Sequence, residues 1–107
     1  MSNSRVWAIQ EGNNNYEAAE AFGEVRFVTR FELQPMANSQ QNLNVIGDIR
    51  KFNSEYLIGT DYIIPSGNPM VTAQLLLTLG RGKHHFLKWD GRRGIYIPFT
   101  LDSEATV

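Results

Sequence analysis

Apolar positions along this chain follow two rhythms, one of period two and one of period three to four, separated by small and polar residues. Arg5 to Ile9 reads as a first strand, ended by Gly12 and the run Asn13-Asn14-Asn15. Tyr16 to Phe22 (YEAAEAF) reads as a short helix: alanine and glutamate favour it, and Gly23 suits the left-handed position past its end. Glu24 to Thr29 predicts a second strand, with Val25, Phe27 and Thr29 on one face and Arg26 and Val28 on the other. Phe31 to Asn38 is a connection, because Pro35 interrupts regular structure.

A second helix is expected from Ser39 to about Asn53, with Leu43, Ile46, Ile49 and Phe52 forming its apolar stripe. Asp61 to Ile64 predicts a third strand whose unbroken apolar centre suits a buried position. Pro69 to Leu79 predicts a third helix, with Asn68 as N-cap, Pro69 as first helical residue and Gly80 closing it. Its side chains are apolar nearly all round, so it is expected to be well buried. Lys83 to Trp89 and Ile95 to Leu101 predict an antiparallel hairpin across the turn Asp90-Gly91-Arg92-Arg93-Gly94, with Pro98 marking an edge strand.

Strands alternating with helices imply a mainly parallel sheet. The expected fold is a single α/β domain over residues 1–107. It is a small three-layer, Rossmann-like arrangement of about five strands, with helices packed on the sheet faces and an antiparallel C-terminal hairpin. If the chain starts in the middle of the sheet and winds both ways, the strand order is second, first, third, fourth, fifth. Right-handed crossovers then bring the loop Gln10 to Asn15 beside Ser66-Gly67-Asn68, at the reversal where ligands sit in such sheets.

Composition narrows the chemistry. The chain has 107 residues, a net charge of −1 and no cysteine. Disulfide frameworks, thiolate metal sites and cysteine nucleophiles are excluded, and no global charge draws it to nucleic acid or anionic lipid. The N-terminus lacks a signal-peptide shape. The longest apolar segment, Met70 to Leu79, is far short of the roughly 20 residues of a membrane span, so no membrane partner is expected. The acidic tail LDSEATV is expected to fray.

The segment PSGNP, residues 65–69, is the first candidate site. Gly67 would let the backbone approach a ligand, Ser66 offers a hydroxyl, and amides at the helix start beyond Asn68 would face an anion such as the phosphate of a nucleotide. The complete phosphate-loop patterns GxGxxG and GxxxxGK[ST] are absent, and Gly-Asn-Pro is equally good helix-start chemistry without a ligand. The run RGKHHFLKWDGRRG holds five of the ten Lys and Arg residues, with Phe86 and Trp89 as possible stacking platforms for nucleic acid. At about 3.3 Å per residue, Arg81 and Lys83 lie roughly 15–20 Å from Lys88, so only Lys88, Arg92 and Arg93 remain near the loop's edge. Asp90 could equally tie Arg92 or Arg93 into the turn.

His84 and His85 point to opposite faces of a strand and cannot chelate one metal together, so no metal and no cofactor is expected. Ser66 is not in a GxSxG elbow. Asp61 begins its strand and lies at the wrong edge for the loop. No catalytic residue is assigned, and non-enzymatic action is favoured. Trp7 and Trp89 are read as filling core or interface volume.

Several fragments together resemble a group of short uncharacterised proteins encoded by tailed bacteriophages. They are Phe22-Gly23-Glu24, Asp61-Tyr62, Gly67-Asn68-Pro69, Leu87-Lys88-Trp89-Asp90 and Tyr96-Ile97-Pro98. The resemblance implies a phage accessory protein acting in the cytoplasm of the infected host cell, and it implies no activity. Small proteins of this kind act by binding a host or phage protein, or by holding a nucleotide. The first expectation is therefore a binding module that contacts a protein partner through the edge strand Ile95–Leu101 and the Arg92-Arg93 turn, a strand that can also pair with itself in a homodimer. The alternative is a nucleotide or phosphate binder, including a phosphodiester-cleaving enzyme, that uses Ser66, Gly67, Asn68, Lys88, Arg92 and Arg93. Nucleic-acid binding is the weaker third.

Overall fold

A computed structural model describes residues 4–12, 15–35 and 39–104 of the chain. Strand β1 (Arg5–Gln10) leads through a 3₁₀ helix (Glu17–Ala21) to β2 (Glu24–Thr29). Helix α1 (Gln40–Glu55), β3 (Tyr62–Ile64), α2 (Pro69–Leu76), β4 (Lys83–Asp90) and β5 (Ile95–Asp102) follow. The strands form one sheet in the order β2-β1-β3-β4-β5. The β1–β2, β1–β3 and β3–β4 pairs are parallel, and β4–β5 is antiparallel. This is the α/β sheet that the alternation of elements implies, in the strand order of a chain that starts in the middle and winds both ways.

The first connection steps one way from β1 and the next two step back the other way. Right-handed crossovers therefore place the 3₁₀ helix on one face and α1 and α2 on the other. The helical face holds the larger core, where Trp7, Ile9 and Ile63 of the sheet meet Val45, Ile49 and Phe52 of α1 and Val71 and Leu75 of α2. On the opposite face Val6, Ala8, Ile64, Leu87 and Tyr96 meet Tyr16 and Ala19. Five residues of 3₁₀ helix are the cover on that side, and they leave the carboxyl end of the sheet open there.

Three elements differ from expectation. The YEAAEAF segment is 3₁₀ rather than α-helical, because it is only five residues long and its N-cap Tyr16 makes no side-chain capping bond. In α1 the buried positions are Asn42, Val45, Ile49 and Phe52, while Leu43 faces solvent. A strict three-residue spacing drifts off the 3.6-residue turn, and a buried asparagine displaces leucine from the stripe. Asn42 earns that place by bonding both the amide and the carbonyl of Gln34.

Helix α2 is the third difference. It stops at Leu76 instead of reaching Leu79, buries Val71 and Leu75, and leaves Met70 and Leu77 in water, Leu77 at 82% exposure. Its end tightens into i→i+3 bonds to Leu75 and Leu76, with the Thr78 hydroxyl also donating to the Leu75 carbonyl at 2.7 Å. Residues 13 and 14 of the Gln10–Asn15 loop, 36–38 of the Phe31–Asn38 connection and 105–107 of the tail lie outside the described residues.

Candidate functional site

The carboxyl ends of β1 and β3 meet at the reversal of strand order. Ser66 is buried there, and its hydroxyl both accepts from the Gln10 amide and donates to the Gln10 carbonyl, each at 3.3 Å. The Gln10 carboxamide turns onto the loop, and its Oε1 accepts from the Asn68 amide at 2.6 Å. Gly67 has φ of +84°, and the place a Cβ would occupy lies 2.5 Å from the Gln10 Cβ. Glycine is needed there for both its left-handed backbone and its missing side chain.

Asn68 caps α2 as expected, its Oδ1 accepting from the Met70 amide at 2.8 Å. The Asn68 and Met70 amides are thus both satisfied within the chain, and Pro69 between them has no N–H to offer. The anion that the loop chemistry suggests would have to displace the Gln10 carboxamide.

A cleft of about 410 Å³ opens beside this loop, lined by Asn15, Tyr16, Ile64, Pro65, Ser66, Lys88, Trp89 and Tyr96. It draws on the end of β3, both strands of the hairpin and the entry to the 3₁₀ helix. Trp89 and Tyr96 are partners across the hairpin, their rings tilted by 57° with centroids 5.0 Å apart. Tyr96 is buried and Trp89 remains 48% exposed. Burial raises the Tyr96 phenol above its ordinary value, and the neighbouring Tyr16 adds to the rise. Asn15 fixes the start of the 3₁₀ helix by accepting from the Glu17 amide at 2.8 Å.

The six residues expected at the site therefore divide. Ser66 and Lys88 line one cleft. Gly67 and Asn68 lie behind it, against Gln10. Arg92 and Arg93 sit on the exposed turn that follows Trp89, where Asp90 Oδ1 accepts from both their amides. Asp90 also faces Arg93 at 3.8 Å, so it ties the hairpin in the way its position in the turn allows. Sequence reasoning missed the aromatic wall. Its signal was the hairpin register, since Trp89 and Tyr96 flank the turn symmetrically and alternation puts them on one face.

The remaining chemistry is structural. His84 is buried, with Nε2 2.6 Å from the Gly80 carbonyl and Nδ1 2.6 Å from the Tyr56 hydroxyl. The carbonyl can accept and not donate, so Nε2 carries the proton and the Tyr56 hydroxyl donates to Nδ1. His85 takes the other face and bonds Thr100 and the Gly59 carbonyl. No group of three metal-ligating side chains exists among the described residues. Asp61 is fully buried at the amino edge, away from the cleft, where it accepts from the Trp7 indole and from the Arg5 and Leu57 amides, each at 3.0 Å. No helix among the described residues is long and apolar enough to cross a membrane.

A family model described as Phage Pam3 gp32-like protein matches residues 4–103. No curated protein and no solved structure matches the chain. The match spans nearly the whole sequence, and the chain belongs to that phage protein family.

Proposed function

We propose that this member of the phage Pam3 gp32-like family is a non-enzymatic binding module whose contact surface is strand β5. The observation that carries the reading is the pattern of β5 itself. Ile95, Ile97, Phe99 and Leu101 form one row on the face that carries α1 and α2, and Ile95, Phe99 and Leu101 stay 45%, 46% and 54% exposed. The row is about 20 Å long at strand spacing and extends past the cover that the helices give the rest of that face. Lys88 lies opposite Ile97 and Phe86 opposite Phe99, which widens the surface.

The backbone of β5 favours contact by this face over pairing along its edge. Ser103 donates to the Gly82 carbonyl one step beyond the Lys83–Asp102 pair. Hydrogen-bonded pairs alternate in an antiparallel ladder, so Tyr96, Pro98 and Thr100 turn their peptide groups outward. Pro98 has no donor, and it interrupts the open edge near its middle. A partner therefore gains most by covering the apolar row.

A second copy of the chain satisfies that requirement with its own row across a two-fold axis. In the infected cell a host or phage protein with an apolar strip of this length is the alternative occupant. Ile97→Lys places a charge at the centre of the row. Sedimentation is expected to give a dimer mass for the wild type and a monomer mass for Ile97→Lys. Equal masses for the two proteins would count against self-pairing through β5.

A further inference from the structure

The cleft at the carboxyl edge has a composition that the β5 reading does not use. We infer that it binds a nucleoside monophosphate, with the base against Trp89 and the phosphate toward the hairpin turn. Its position is the one at which open α/β sheets bind ligands, beside the reversal of strand order. Its volume of about 410 Å³ falls within the range of small-molecule sites.

The walls select the ligand class. Trp89 and Tyr96 present aromatic surface from one side and Tyr16 from another, with Ser66 and Asn15 as the polar groups between them. The Ser66 hydroxyl is held by Gln10, and the Asn15 Oδ1 by Glu17. Among the described residues nothing holds the Asn15 carboxamide nitrogen, which can donate to a ring nitrogen or carbonyl. A folded chain gains nothing from leaving half an indole in water beside an open cleft, whereas a planar ring stacked on it completes the wall.

The charge around Trp89 supplies the second half of the argument. Arg92 and Arg93 lie within four residues of it, whereas Lys88 alternates onto the other face of the sheet, beside Ile97. Arg93 is partly neutralised by Asp90, and the Arg92 guanidinium makes no ion pair among the described residues. A phosphate on a base-stacked nucleoside meets this turn. The amides at the start of α2 play no part, because the Gln10 carboxamide already occupies the loop. The site is thus distinct from a phosphate-binding helix start.

The test is titration of the full chain with AMP and the other three nucleoside 5′-monophosphates, followed by tryptophan fluorescence and melting temperature. Trp7 is buried against Asp61, so quenching reports Trp89. Saturable quenching and a melting temperature raised by several degrees are expected for at least one of the four. Trp89→Tyr keeps a ring and retains binding, while Trp89→Leu loses at least tenfold in affinity. Arg92→Ala weakens binding of the monophosphate and leaves the parent nucleoside unaffected. The wild-type comparison of nucleoside, monophosphate and inorganic phosphate needs no variant. The inference is overturned if no monophosphate at millimolar concentration changes either signal. It is equally overturned if Trp89→Leu binds as the wild type does, or if inorganic phosphate alone reproduces the full shift.

Discussion

Asp61 shows how much of this fold one side chain can hold. Its carboxylate ties β1 to the turn after α1 through the Arg5 and Leu57 amides, fixes the Trp7 indole, and faces the Arg5 guanidinium at 3.7 Å. Arg5 in turn donates to the Glu55 carbonyl at the end of α1. Removing the carboxylate strands these donors in a buried place. Asp61→Ala is expected to cost about 3 kcal/mol in urea denaturation, as broken buried pairs do. A loss within experimental error would show that water replaces the carboxylate. Tyr56 makes a second residue-scale prediction. Burial, reinforced by the nearby Asp61 charge, pushes its phenol from 10.0 up to about 12. The folded state therefore holds this proton more tightly than the unfolded state. The associated stability is intact below pH 10 and is lost as pH rises through about 12. Tyr96 is shifted in the same direction. Melting temperature measured across that window should fall more steeply for the wild type than for Tyr56→Phe.

At the scale of elements, the loop between β3 and α2 is a lock between two strand ends. Gly67→Ala would force an alanine to φ near +84° and drive its Cβ onto the Gln10 side chain. About 2 kcal/mol of destabilisation is expected by chemical denaturation. Pairing it with Gln10→Ala should recover only the clash with the carboxamide, leaving the 2.5 Å approach to the residue 10 Cβ and the backbone strain. Element identity was largely legible in the sequence, because strand alternation and the Asn68 cap are local signals, and the helix start read at Ser39 is capped there by its hydroxyl, which accepts from the Asn42 amide at 3.0 Å. Burial was less legible. Leu43 and Leu77 are as apolar as any core residue, yet they face water. Which side of a helix meets the sheet depends on the crossover and on partners such as Gln34 for Asn42, and those lie outside the helix's own sequence. The candidate site was legible in part for the same reason. The meeting of Gln10 with Ser66, Gly67 and Asn68 follows from strand order, whereas the wall of Tyr16, Trp89 and Tyr96 needs hairpin register and the docking of the 3₁₀ helix together.

At the scale of the whole molecule, the sheet is sealed unevenly. Among the described residues two helices cover the β2, β1 and β3 side of one face, one short 3₁₀ helix covers part of the other and buries Tyr96 of β5, and the Ile95–Leu101 row of β5 on the helical face stays largely exposed. The account places a protein contact on the apolar row of β5, with Pro98 blunting the bare edge beside it. The chain contains no cysteine, which permits a direct test with a single introduced thiol. Ile97→Cys puts that thiol at the middle of the row, and Leu43→Cys puts one on the exposed side of α1 as a control. Under mild oxidation the account predicts rapid formation of a covalent dimer of twice 12.2 kDa from Ile97→Cys and little from Leu43→Cys. Equal, slow cross-linking at both positions would contradict a self-pairing surface on β5.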